Sequence, residues 1–90
     1  MNLDAFADIK LLADPEFPAP MLMNALFSKF HRHLTKFGAG SIGVSFPDSR
    51  DPGKSLGPRL RLHGNFVDLQ RFLATDWLSG MRDHVAIAPP

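Results

Sequence analysis

His31 is the strongest catalytic candidate in this chain. Free imidazole titrates at about 6.5, so a histidine can take up or release a proton at neutral pH. The other chemistry-bearing residues form weaker patterns. His31 and His33 are two positions apart on a helical segment, so their rings diverge around the axis instead of converging on a metal. Asp14 and Glu16 sit in a proline-rich stretch, DPEFPAP, with no pairing pattern between them. The stretch GAGSIG follows a helical segment and precedes a strand, the reverse of the order a phosphate-binding loop requires. No cysteine is present, which excludes disulfides, thiolate catalysis and cysteine-bound zinc. None of these patterns marks a metal or cofactor site, and His31 stays one candidate for proton transfer.

The element that must position His31 is the segment 20–37, PMLMNALFSKFHRHLTKF. At about 100° per residue, Leu22, Met23, Leu26, Phe27, Phe30, Leu34 and Phe37 fall within an arc of roughly 140°. Pro20 suits the first turn, where its missing N–H has no partner to lose. Gly38 and Gly40 suit a helix stop. His31 projects about 40° beyond Phe27, beside Asn24, Ser28 and Thr35. His33 falls on the opposite margin, between Leu22 and Leu26. A boundary histidine is more often a partly buried helix residue than a base, and position alone does not separate these two.

The rest of the chain supplies a sheet. Segment 6–13 reads as a strand with Ile9 and Leu11 on one side and Asp8 and Lys10 on the other. In 41–46, SIGVSF, Ile42, Val44 and Phe46 alternate with polar or small residues. Three prolines make 47–58 a loop. A third strand, 59–63 (RLRLH), points Leu60 and Leu62 inward and Arg59, Arg61 and His63 outward. Asn65 and Asp68 mark the start of a second helix, 65–74, with Phe66, Leu69, Phe72 and Leu73 on its inner face. Trp77, Leu78 and Met81 extend the apolar cover, and 84–88 is a last strand with Val85 and Ile87 inside.

The order β-α-β-β-α-β predicts an α+β fold of the ferredoxin-like kind, one domain over residues 1–90, with two helices on one face of a four-stranded antiparallel sheet. The other face is predicted to show Asp8, Lys10, Ser41, Ser45, Arg59, Arg61 and His63. None of these is a flat hydrophobic ring, so stacking of bases on the sheet is not expected. Arg59 and Arg61 are the candidates for contact with RNA phosphates, although alternating arginines on a strand are more often a solvated face. A chain of ninety residues buries only about 60–65% of its unfolded surface, so stability should be modest. Ten Lys and Arg against nine Asp and Glu give a net charge of +1, weak for a domain expected to hold nucleic acid unaided. The start, MNLDAFADIK, has no secretory character and no apolar run is long enough to span a bilayer. A cytoplasmic location with no membrane contact is expected.

Five stretches in order, DPEFP (14–18), LMNALFSKFHRHL (22–34), IGVSFPD (42–48), LGPRLRLH (56–63) and WLSGMRDH (77–84), resemble the amino-terminal half of the CRISPR-associated endoribonuclease of type I-F (Ypest subtype) systems. That resemblance implies a ferredoxin-like first half. It also implies metal-independent processing of precursor CRISPR RNA at the repeat stem-loop, with the other subunits of the type I-F surveillance complex as partners in antiviral defence. The family's catalytic histidine, which deprotonates a ribose 2′-hydroxyl, corresponds to His31 and not to His33. The second, RNA-binding half of the family, with its arginine-rich helix, is expected to be absent from this sequence, leaving a form weak or inactive alone. A free-standing domain that competes within the guide-RNA complex, with His31 idle, is the alternative.

Overall fold

A computed structural model describes residues 5–37, 42–49 and 56–90. The expected helix stop at Gly38 and Gly40, the outward Ser41 and residues 50–55 of the expected loop lie outside the described residues. Strand β1 (Ala5–Leu11) is followed by helix α1 (Ala19–Phe37), strands β2 (Gly43–Ser45) and β3 (Arg59–Gly64), helix α2 (Phe66–Leu73) and strand β4 (Val85–Ala88). The sheet order is β2-β3-β1-β4 with every pairing antiparallel. This is the ferredoxin-like arrangement predicted from the sequence.

Each element forms for a local reason. The carbonyl of Pro18 accepts the N–H groups of Met21 and Leu22 at 3.0 and 3.2 Å, closing the first turn of α1. Asn65 caps α2. Its side chain accepts the Asp68 N–H at 2.8 Å and donates back to the Asp68 carboxylate at 2.9 Å. The shorter Asp thus closes the cap onto the Asn amide, where Glu or Gln would reach the backbone. Gly57 has φ +81°, and a Cβ there would lie 2.9 Å from the Asp48 side chain, so only glycine fits this entry into β3.

The core lies between the helices and one sheet face. Ile9, Leu60, Leu62, Leu26, Leu69, Phe72 and Trp77 are sealed within it. Phe72 is its aromatic hub, with ring centroids 5.7 Å from Phe30, 5.4 Å from Phe37 and 5.2 Å from Trp77. These contacts join α1 to α2 and to the 77–81 turn. Two residues predicted to lie on the inner face, Phe66 and Ile87, are left partly uncovered. Phe66 is 48% exposed. It occupies the first position of α2, where the Cβ tilts toward the helix start and away from the core. Ile87 shares a face with its register partner Ile9 but lies on an edge strand, and 42% of it stays exposed.

The open face differs from expectation in one respect. Strand β1 begins at Ala5, so Phe6 is in full register with His63 and on the same side as Asp8 and Lys10. An aromatic ring therefore stands on the face that sequence patterning left without one. Beside it, Asp8 accepts hydrogen bonds from Arg61 Nε at 2.8 Å and Nη2 at 3.1 Å, and one from Arg59 Nη1 at 3.3 Å. The hydrogen bonds from Arg61 hold the Asp8 carboxyl below its ordinary value against the opposing effect of burial, and the charges of Arg61 and Arg59 add to this. The same pair raises the pKa of Arg61. A carboxyl lowered on folding stabilises the fold above its unfolded pKa of about 3.9, and that contribution is lost as pH falls through the folded value. Asp8→Asn is therefore expected to lower the melting temperature at neutral pH. The gap from wild type should narrow as the solution is acidified below about pH 4, as thermal melts across that range will read.

Candidate active site

His31 is exposed on α1, one turn past Phe27. Among the described residues neither of its ring nitrogens has a partner; only its backbone carbonyl is engaged, accepting from Thr35 Oγ1 at 3.0 Å. Phe27, Ser28 and Arg32 line a shallow hollow around the ring. The wall is anchored, because Phe27 packs against Phe30 and Phe46 with centroids 6.2 and 6.0 Å apart. A proton acceptor, a hydroxyl, a guanidinium and a flat apolar surface thus share one hollow. Phe27 belongs to the apolar arc predicted from the sequence, and its place four residues before His31 is the signal for its role here; the adjacent position of Arg32 carries no such signal.

His33 has a different environment. It is half-buried, and its Nδ1 donates to the Lys29 carbonyl at 3.1 Å. That bond orients the ring along its own helix and occupies one nitrogen. The two histidines thus differ in environment, one exposed and the other half-buried.

The remaining histidines serve other contacts. His84 Nδ1 lies 3.2 Å from Asp14, with Phe17 packed edge-on against its ring. Asp14 also accepts the N–H groups of Glu16 and Phe17 at 2.8 and 3.0 Å, which ties the connection between β1 and α1 into a turn. These two backbone bonds are the main reason its carboxyl is held below the ordinary range, with His84 contributing less. His63 Nε2 shares a hydrogen bond of 2.6 Å with the Ser45 hydroxyl.

The two groups of residues singled out from sequence are not brought together. Arg59 and Arg61 stand on the open face, whereas α1 and His31 pack on the other side of the sheet. Both arginines are committed to acidic partners. Arg61 is bidentate on Asp8, and Arg59 bridges Asp8 and Asp48 at 3.3 Å each. Among the described residues no three His, Asp or Glu side chains converge as metal ligands, and no helix is long and apolar enough to cross a membrane.

Residues 6–90 match the family model described as CRISPR-associated protein (Cas_Csy4). The chain is 47% identical over 88 residues to a CRISPR-associated endonuclease Cas6/Csy4 of Pseudomonas aeruginosa (strain UCBPP-PA14), covering 98% of this chain and 47% of that protein. It is 46% identical over 87 residues to a protein of the same description from Escherichia coli (strain UTI89 / UPEC), covering 97% of this chain and 46% of the relative. The chain thus spans about half the length of these relatives. With a matching family model across nearly all of its residues and the fold in agreement, the chain belongs to the Csy4 family of CRISPR-associated proteins.

Proposed function

We propose that this chain provides the catalytic histidine of a metal-independent endoribonuclease that cuts precursor CRISPR RNA at the repeat stem-loop. The observation that carries the reading is the contrast between two neighbouring histidines: His31 is exposed with both ring nitrogens unpartnered among the described residues, while His33 is held by a backbone carbonyl. Neutral His31 accepts the proton of a ribose 2′-hydroxyl. The 2′-oxygen forms a bond to the adjacent phosphorus, the bond from phosphorus to the 5′-oxygen breaks, that oxygen takes a proton from solvent water, and the proton held by His31 returns to solvent. Products are a cyclic 2′,3′-phosphate and a 5′-hydroxyl. Arg32 supplies positive charge at the rim, where the phosphate gains negative charge as it is attacked. Phe27 offers a flat surface for the neighbouring base. Positioning contributes as much as the base, because the 2′-oxygen must lie in line with the breaking bond.

The partners in this reading are the repeat RNA stem-loop and the other subunits of the type I-F surveillance complex. Arg59 and Arg61 are engaged by Asp8 and Asp48 on the far side of the sheet and do not share the hollow with His31. With a net charge of +1, the 90-residue chain alone is expected to hold the hairpin weakly and cut it poorly. Gel shift and cleavage assays on the isolated chain measure both; robust cutting by it overturns that expectation. Cleavage that requires a divalent cation would overturn the metal-independent step itself.

A further inference from the structure

The open face of the sheet carries a constellation that proton transfer at His31 does not use. Phe6 is 50% exposed on β1, directly across from His63 on β3, with ring centroids 6.5 Å apart. The guanidinium of Arg61 lies 4.2 Å over the Phe6 ring. Neither neighbour is loose: Arg61 is held by two hydrogen bonds to Asp8, and His63 by its bond to Ser45. Further along β1 on the same side stands Lys10, exposed and without an acidic partner among the described residues. Beside Lys10 and Arg59, the small side chains of Ala86 and Ala88 leave a shallow depression.

We propose that this face binds a short stretch of single-stranded RNA, with unpaired bases stacked on Phe6–Arg61 and His63 and a phosphate met by Lys10. Bases pulled out of a helix stack on aromatic rings and on arginine planes, and four-stranded sheets present such rings for two or three bases. The two rings here sit on β1 and β3, the central strands of the sheet. Because Asp8 and Asp48 are consumed in ion pairs with Arg59 and Arg61, Lys10 gives the face one excess positive charge among the described residues. Every base has a stackable face, so this site discriminates weakly by sequence and strongly against paired RNA, whose base faces are covered. It lies across the sheet from His31 and does not depend on the nuclease reading.

The test is fluorescence anisotropy of labelled, unstructured eight-nucleotide oligoribonucleotides with the 90-residue chain at low salt. Phe6→Ala is expected to weaken binding about tenfold, within the range alanine substitution gives for one stacked base. Lys10→Ala is expected to flatten the plot of log affinity against log salt by about 0.7, the value for one phosphate contact on a single strand. Gln70→Ala, at an exposed position of α2 across the sheet, is expected to leave the binding unchanged. Lys10→Glu, at an exposed position that should not disturb folding, carries the test if Phe6→Ala alters the circular dichroism, and it must weaken binding. No saturable binding, equal binding of duplex, or wild-type affinity in both Phe6→Ala and Lys10→Glu overturns the proposal. So does self-association through this face in place of RNA binding.

Discussion

His31→Ala is expected to lower the rate of RNA cleavage by about 10²–10⁴, the range lost when a positioned general base is removed. The chain spans about half the length of its relatives. The measurement is therefore best made on a chimera that joins these residues to the second half of the Pseudomonas aeruginosa protein, with enzyme in excess over labelled stem-loop RNA. The physical case for a chemical defect, and not a folding one, rests on exposure. His31 lies outside the core, so its truncation should change stability by no more than about 0.5 kcal/mol. RNA affinity should also be little changed, because the base acts on a proton that moves only in the transition state. Free imidazole added to the His31→Ala chimera should restore part of the rate, since the shallow hollow is open to solvent. His33→Ala provides the contrast: it loses the bond to the Lys29 carbonyl and should keep most of the cleavage. Equal losses in the two variants would remove the case for His31. Unchanged interference with guide-RNA complexes by the His31→Ala chain would favour the competitor reading, in which the domain occupies a complex without cutting.

The largest stability effect is expected at Phe72. Its ring is fully buried and packs against Phe30, Phe37 and Trp77. Phe72→Ala should destabilise the fold by about 3–5 kcal/mol, the transfer loss plus the cavity left behind. A domain of this size has roughly 5–13 kcal/mol in all, so the variant should unfold at much lower urea concentration or be largely unfolded at 37 °C. The consequence reaches the candidate site, because Phe72 meets α1 through Phe30 and Phe37, and Phe30 directly precedes His31. Phe66→Ala is the informative control. Helical spacing gives Phe66 and Phe72 the same inner face, yet Phe66 is half exposed at the first turn. Its truncation should cost less than about 1 kcal/mol. Similar losses at the two positions would contradict the packing described here.

Much of the fold was legible in the sequence because its signals are local. Alternation in the strands sets which side of the sheet Ile9, Leu11, Leu60 and Leu62 face. The stripe on α1 and the Asn65 cap depend on neighbours within two turns. The order of elements then leaves few topologies to choose from. What local signals miss is how far the cover extends. Phe66 and Ile87 obey their periodicities and remain exposed, because a helix end and a sheet edge lack neighbours that no spacing rule counts.

The candidate site divides in the same way. Residue type and resemblance singled out His31 from the chain alone, since imidazole chemistry and a run of matching residues need no coordinates. The tertiary structure decided what surrounds each group. It left His31 open beside Phe27 and Arg32, drew Arg59 and Arg61 onto Asp8, and set Phe6 against His63, whereas the bond from His33 to the Lys29 carbonyl is local to α1. Asp8 is 51 residues from Arg59 and 53 from Arg61 along the chain. Contacts across such distances are set by strand register, and register exists only once the sheet has formed.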